Sequence, residues 1–203
     1  IALHAHSYAV VLAQKLEELG YQLSSKCFFD TIEVIADAAR VEAIAEKNEI
    51  NLFYPTEDKV RLSMDEVVTI EELNKIITIF AEAASKPSPR VTEVPSVRGF
   101  CPSMNRQTPF LTETIFNRYS SETDMMRYIK KLETRDISLA TSMISLGSCT
   151  MKLNSATSMM PLSWSEFGNV HPFVPFEQAA GYHEMMNELS SDLAVITGFA
   201  AVS

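Results

Sequence analysis

Five of the nine prolines in this 203-residue chain fall between Ser85 and Pro109, at Pro87, Pro89, Pro95, Pro102 and Pro109. Proline fixes φ and withholds an amide donor, so neither a helix interior nor a central strand runs through such a stretch. An extended connector over a surface is expected there. It divides the chain into residues 1–85, the connector 86–109, and residues 110–203, and each flank is read on its own.

Residues 1–85 alternate helical and strand-like patterning. Tyr8, Val11, Leu12, Leu16 and Leu19 recur at helical spacing, and Gly20 stands where a C-terminal cap belongs. Lys26 to Val34 is rich in β-formers (Cys27, Phe28, Phe29, Thr31, Ile32, Val34), and a helix through Val41 and Ile44 follows. The arms 52–54 and 59–62, joined by Pro55-Thr56-Glu57-Asp58, predict a hairpin. Thr69-Ile70-Glu71-Glu72 has the capping-box pattern, and Leu73, Ile76, Ile77, Phe80 and Ala84 give the next helix one apolar face. The expected order is αβαββα, a small α/β (α+β) sandwich.

Residues 110–203 read as mainly helical. Ser121-Glu122-Thr123 opens a helix expected to turn Met125, Met126, Ile129 and Leu132 inward, and Asp136 caps a shorter helix ending near Met143. A loop from Leu146 to Asn154 follows. Pro175, a favoured first-turn residue, opens a long helix through Tyr182, Met185, Met186, Leu189 and Leu193 to Gly198. The helical pattern is already under way at Ile1, and a strand is opening at Ser203, as expected of part of a longer polypeptide.

Charge narrows the partners. Seventeen Lys and Arg against 26 Asp and Glu leave a formal net charge of −9 with no basic block, which argues against nucleic acid. No apolar stretch approaches the roughly 18–20 residues of a membrane span, and no cationic-then-apolar leader opens the chain. A soluble, cytoplasmic protein is expected, or a mitochondrial one in a eukaryote. Cys27, Cys101 and Cys149 are far apart and odd in number, which indicates neither a disulfide framework nor a CxxC site. His4, His6, His171 and His183 lack any HExxH spacing, so no metal site is expected.

The densest polar cluster is Gly147-Ser148-Cys149-Thr150-Met151-Lys152-Leu153-Asn154. Backbone amides and hydroxyls in such a loop can receive a carboxylate or phosphate, although the same residue types serve as ordinary turns and caps. Lys152 has the amine for a Schiff base, against the commoner role of a solvated cation. Cys149 is a candidate nucleophile or a small hydrophobe. His171-Pro172-Phe173-Val174-Pro175 holds a histidine and an aromatic stiffly before a helix, where His171 either lines a pocket or bonds to backbone. Arg106 and Arg127 are candidate anion contacts.

The segments Pro109-Phe110-Leu111, Phe116-Asn117-Arg118-Tyr119, Ser121-Glu122-Thr123, Met126-Arg127-Tyr128 and Met143-Ile144-Ser145-Leu146 followed by the 147–154 loop resemble the signature of the glycine decarboxylase family, the P-proteins of the glycine cleavage system. Trp164, Glu166-Phe167, His171-Pro172-Phe173 and Glu177-Gln178-Ala179-Ala180-Gly181-Tyr182 continue the resemblance in register. Residues 1–85 are similar, more weakly, to the small C-terminal domain that ends the first half of the long single-chain form. The resemblance implies two halves, each like a fold-type-I pyridoxal-phosphate (PLP) enzyme. Residues 110–203 would then open the second, catalytic half.

The resemblance further implies glycine decarboxylation with PLP as electron acceptor, CO2 release, and transfer of the aminomethyl group to the lipoyl arm of the H-protein. It places the PLP lysine beyond Ser203, which argues against Lys152 as the Schiff-base residue and leaves no catalytic or cofactor-binding residue in this stretch. Ser148 and Thr150, with Lys152, Cys149 and His171, become candidate substrate contacts. The stretch by itself is expected to be inactive and to bind no cofactor. Helices of 110–203 with uncovered apolar faces would self-associate, giving a homo-oligomer. The alternative is a stand-alone α/β interaction module without catalysis.

Overall fold

Helix α1 (Ala2–Glu18) opens the chain and buries Tyr8, Val11, Leu12 and Leu16 along one face. It ends at Leu19, and Gly20 then takes φ +91°, a left-handed turn open to glycine at little cost. A Cβ there would also meet Lys86 Nζ at 2.9 Å. The computed structural model describes residues 1–98, 101–102, 105–138, 140–143 and 155–202.

Strands β1 (Gln22–Leu23), β2 (Thr31–Ile35), β3 (Phe53–Thr56) and β4 (Lys59–Ser63) form an antiparallel sheet in the order β1-β2-β4-β3. Between them runs α2 (Ala38–Lys47), and α3 (Ile70–Ala83) follows the sheet. The central pair aligns Ile32 with Leu62 and Val34 with Val60. All four are buried, while Thr31, Ile35, Arg61 and Ser63 on the alternate positions are exposed. This period-two alternation turns one sheet face onto Leu12, Leu16, Val41, Leu73, Ile77 and Phe80, the core of the unit. Burying each such side chain contributes roughly 1.5–3 kcal/mol.

The observed order is αββαββα. Strand β1 is an addition to the expected order: at two residues it carries no periodicity of its own and exists through pairing with Val34 and Ile35. The expected strand from Lys26 also begins late. Residues 24–30 form a loop in which Phe28 packs against the core and the Phe29 ring lies parallel to that of His6, 5.5 Å away. The hairpin forms with a shorter turn than expected, because Pro55 and Thr56 belong to β3 and only Glu57 and Asp58 make the turn, and the capping box forms where expected. Thr69 Oγ1 accepts from Glu72 N, and the Glu72 carboxylate accepts from Thr69 N at 2.8 Å.

The prolines of the connector coincide with a stretch free of helix and strand between Ser85 and Val97, tied down by side chains. Lys86 Nζ donates to Leu19 O at 2.5 Å, the Thr78 and Ser88 hydroxyls are 2.9 Å apart, and Val97 N donates to Ser7 Oγ at 2.9 Å. Asn74 acts as a clasp: Nδ2 donates to Val91 O and Oδ1 accepts from Val91 N, both at 2.8 Å. Cys27 and Cys101 are paired as a disulfide, with Cα atoms 5.6 Å apart. This corrects the expectation from spacing, which carries no information about a pairing 74 residues apart.

The chain folds as two compact units, Ile1–Pro109 and Phe110–Ser203. The second contains α4 (Ile115–Arg118), α5 (Glu122–Glu133), α6 (Ala156–Met159), a 3-10 turn Met160–Ser163, α7 (Ser165–Gly168), a 3-10 turn Phe176–Ala179, and α8 (Ala180–Thr197). Ser121 caps α5 by accepting from Asp124 N, and Gly198 closes α8 at φ +73°. Two expectations fail here. Met125, Met126, Ile129 and Leu132 are exposed rather than inward, because amphipathic spacing specifies a face without supplying what covers it. No helix follows Asp136 among residues 137–138 and 140–143; its carboxylate accepts from the adjacent Ile137 N instead of an amide further along. Among the described residues, no helix is long and apolar enough to cross a membrane.

Candidate functional site

Of the five residues singled out from sequence, Ser148, Cys149, Thr150 and Lys152 lie outside the described residues. His171 is placed between α7 and α8. Its Nδ1 accepts a hydrogen bond from Phe173 N at 3.0 Å. A backbone amide only donates, so in this arrangement Nδ1 carries the lone pair and the ring proton sits on Nε2. The two readings of His171 are therefore compatible, since the ring bonds to backbone and still borders a cavity.

That cavity, about 440 Å³, is walled by His171, Pro172, Phe176, Tyr182, His183 and Met186. Two prolines stiffen the segment that forms one wall, and the first turns of α8 form the other. The Phe176 ring stacks on His183 with centroids 3.9 Å apart, at 26°. A second cavity of about 380 Å³ is bounded by Glu166, Phe167, Gln178 and Met185. Tyr182 lines both, its hydroxyl donating to Phe167 O at 2.6 Å and its ring meeting Phe167 edge-on. The result is two imidazoles, aromatic faces and a thioether around an opening with few charges. Such a lining suits a small organic ligand held by stacking and by one or two directed hydrogen bonds.

His183 and Phe176 escaped the sequence reading. The signal for them was present, because Ala179, His183 and Met186 recur at i, i+4 and i+7 and therefore share a helical face, and all three border the cavity. None of the described residues that line this cavity is a lysine.

The ionisable groups of the first unit have structural roles. Glu33 on β2 is held at a pKa of about 2 by hydrogen bonds from Lys59 and Arg61 across the sheet, with Ser24 adding to them. The distances are 2.8 Å from Lys59 Nζ and 2.6 Å from Arg61 Nη2. Burial pushes the Tyr54 phenol up to about 12, and the carboxylates of Glu42 and Glu46 add to the shift. Among the described residues, no group of His, Cys, Asp or Glu is arranged to hold a metal ion.

Comparison with known proteins gives these features a context. Residues 1–80 match the model of a family described as glycine cleavage system P-protein. Across all 203 residues the chain is 49% identical to a glycine dehydrogenase (decarboxylating) from Flavobacterium johnsoniae and 48% identical to one from Christiangramia forsetii, covering 21% of each. A protein of the same description from Bacteroides fragilis is 47% identical over 207 aligned positions. The chain thus spans about a fifth of the length of the curated relatives it matches.

Proposed function

Because the chain belongs to the glycine cleavage system P-protein family, we propose that it is one part of a PLP-dependent glycine decarboxylase, an oxidoreductase that releases CO2 from glycine and passes the aminomethyl group to the lipoyl arm of the H-protein. The single observation that carries this reading is the identity of 47–49% over the whole length of the chain, both units included. Residues 1–85 act as the small α/β domain that ends the first half, 86–109 as the connector, and 110–203 as the opening of the catalytic half, with PLP held by residues outside this stretch.

In that role the chain supplies walls rather than reacting groups. Ser148, Thr150 and Lys152, with Cys149 beside them, contact glycine or the groups that surround it, and His171 borders the cavity. PLP, when bound, accepts the electrons released as the carboxylate of glycine departs. The proteins that carry this stretch work in the cytoplasm, or in the mitochondrion of a eukaryote, as homo-oligomers.

The test uses the full-length protein and follows glycine-dependent CO2 release with lipoylated H-protein. Ser148→Ala and Thr150→Ala should raise the glycine requirement or lower turnover, and wild-type kinetics in both would remove the assignment. The 203-residue chain mixed with PLP should give no Schiff-base absorption band. A borohydride-trappable adduct on Lys152 would overturn the division of labour.

A further inference from the structure

The cysteine pair joins two segments that helix α1 has already brought together. His6 and Ser7 are adjacent and buried on that helix. His6 Nδ1 donates to Phe29 O at 2.6 Å and so pins the 24–30 loop. Ser7 Oγ donates to Leu3 O at 2.7 Å and accepts from Val97 N at 2.9 Å, which pins the connector. Within the loop, Ser25 brackets Cys27: its hydroxyl accepts from Cys27 N at 3.0 Å and donates to Cys27 O at 2.9 Å. The Cα separation of 5.6 Å falls within the range that a disulfide bridges.

These bonds do not involve sulfur, so Cys27 and the connector as far as Val97 keep their positions whether or not the disulfide is closed. We propose that Cys27 and Cys101 form a reversible thiol–disulfide latch that fixes the far end of the connector to the small α/β unit. When reduced, the connector is held as far as Val97. When oxidised, it is held as far as Cys101. Both cysteines are half-buried rather than enclosed, so a small thiol or disulfide reagent reaches them.

The exchange balances with a low-molecular-weight disulfide as oxidant. One cysteine thiolate attacks the reagent and releases one thiol as a mixed disulfide forms. The second cysteine then displaces the other thiol, so the pair loses two electrons and two protons and the reagent becomes two thiols. Reduction by a monothiol runs the same steps backwards.

The experiment equilibrates the full-length protein in glutathione buffers from reduced to oxidised, then traps free thiols by alkylation. Trypsin followed by mass spectrometry should show peptide 27–40 linked to peptide 99–106 in the oxidised samples and both alkylated in the reduced ones. Native limited proteolysis after Arg106 should be several-fold slower in the linked form. Cys101→Ser should be cut at the faster rate in either buffer. Full alkylation of both cysteines under oxidising conditions would overturn the proposal, as would a link from either to Cys149. An unchanged cleavage rate in the linked protein, or redox-dependent cleavage in Cys101→Ser, would overturn it as well.

Discussion

Replacing Asn74 with alanine should release the connector from α3 while leaving the sandwich folded. The side chain makes three hydrogen bonds: Nδ2 donates to Ile70 O at 2.9 Å and to Val91 O at 2.8 Å, and Oδ1 accepts from Val91 N at 2.8 Å. The bond to Ile70 O costs little to lose, because that carbonyl lies inside the helix and keeps its helical partner. The two bonds to Val91 matter more, since Val91 is 5% exposed and belongs to the core. Alanine leaves its N–H and C=O without the clasp. A net hydrogen bond contributes about 1 kcal/mol and a stranded buried group costs about 1–3 kcal/mol, so the two together amount to about 2 kcal/mol. That corresponds to roughly a thirtyfold shift in the opening equilibrium of residues 88–92.

Amide hydrogen exchange at Val91, resolved by mass spectrometry, reads this shift directly. Thr78→Ala is the internal comparison. It removes the contact between the exposed Thr78 and Ser88 hydroxyls and the donation of Thr78 Oγ1 to Asn74 O one turn back in the helix, while leaving both side-chain bonds of Asn74 to Val91 in place, and should change exchange by under about 1 kcal/mol. Unchanged Val91 exchange in Asn74→Ala would refute the clasp, and so would an effect no larger than that of Thr78→Ala.

Phe80→Ala empties a fully buried position where the Tyr21 ring meets Phe80 edge-on, and should cost about 3–5 kcal/mol in urea unfolding. A loss under about 1 kcal/mol would mean the site collapses freely. Thr69→Ala opens the capping box of α3 and should cost about 1 kcal/mol by the same measurement, with m unchanged. Glu33 binds its proton more weakly folded, at about 2, than the ordinary 4.5 of the unfolded chain. Its stabilisation is therefore present above about 4.5 and is lost as pH falls through about 2. Glu33→Gln should flatten the fall in the urea midpoint across that window, and parallel curves for the two proteins would count against the triad.

What could be read from the sequence was what neighbouring residues decide among themselves. The capping box, the hairpin and the glycine after α1 are built from residues within a few positions of one another; the first and last stand as expected, and the hairpin stands with its turn narrowed from 55–58 to Glu57-Asp58. Cys27-Phe28-Phe29 has the composition of a strand but lies in a loop, because Phe29 is held by His6 and Cys27 by Cys101. Both partners are distant in sequence, and local propensity loses to them. The second unit shows the same limit. The stripe of Met125, Met126, Ile129 and Leu132 records that a face exists, but the covering residues are not encoded in the stripe. The cavity beside His171 lies between these cases. Its two walls come from 171–176 and the first turns of α8, and the helical spacing that relates His183 to Met186 was present in the sequence although neither His183 nor Phe176 was singled out from it. The turn of chain that brings His171 and Phe176 to that face required the structure. A site assembled from adjacent elements is thus partly legible in sequence, and one closed by a partner 74 residues away, as at Cys27 and Cys101, is not.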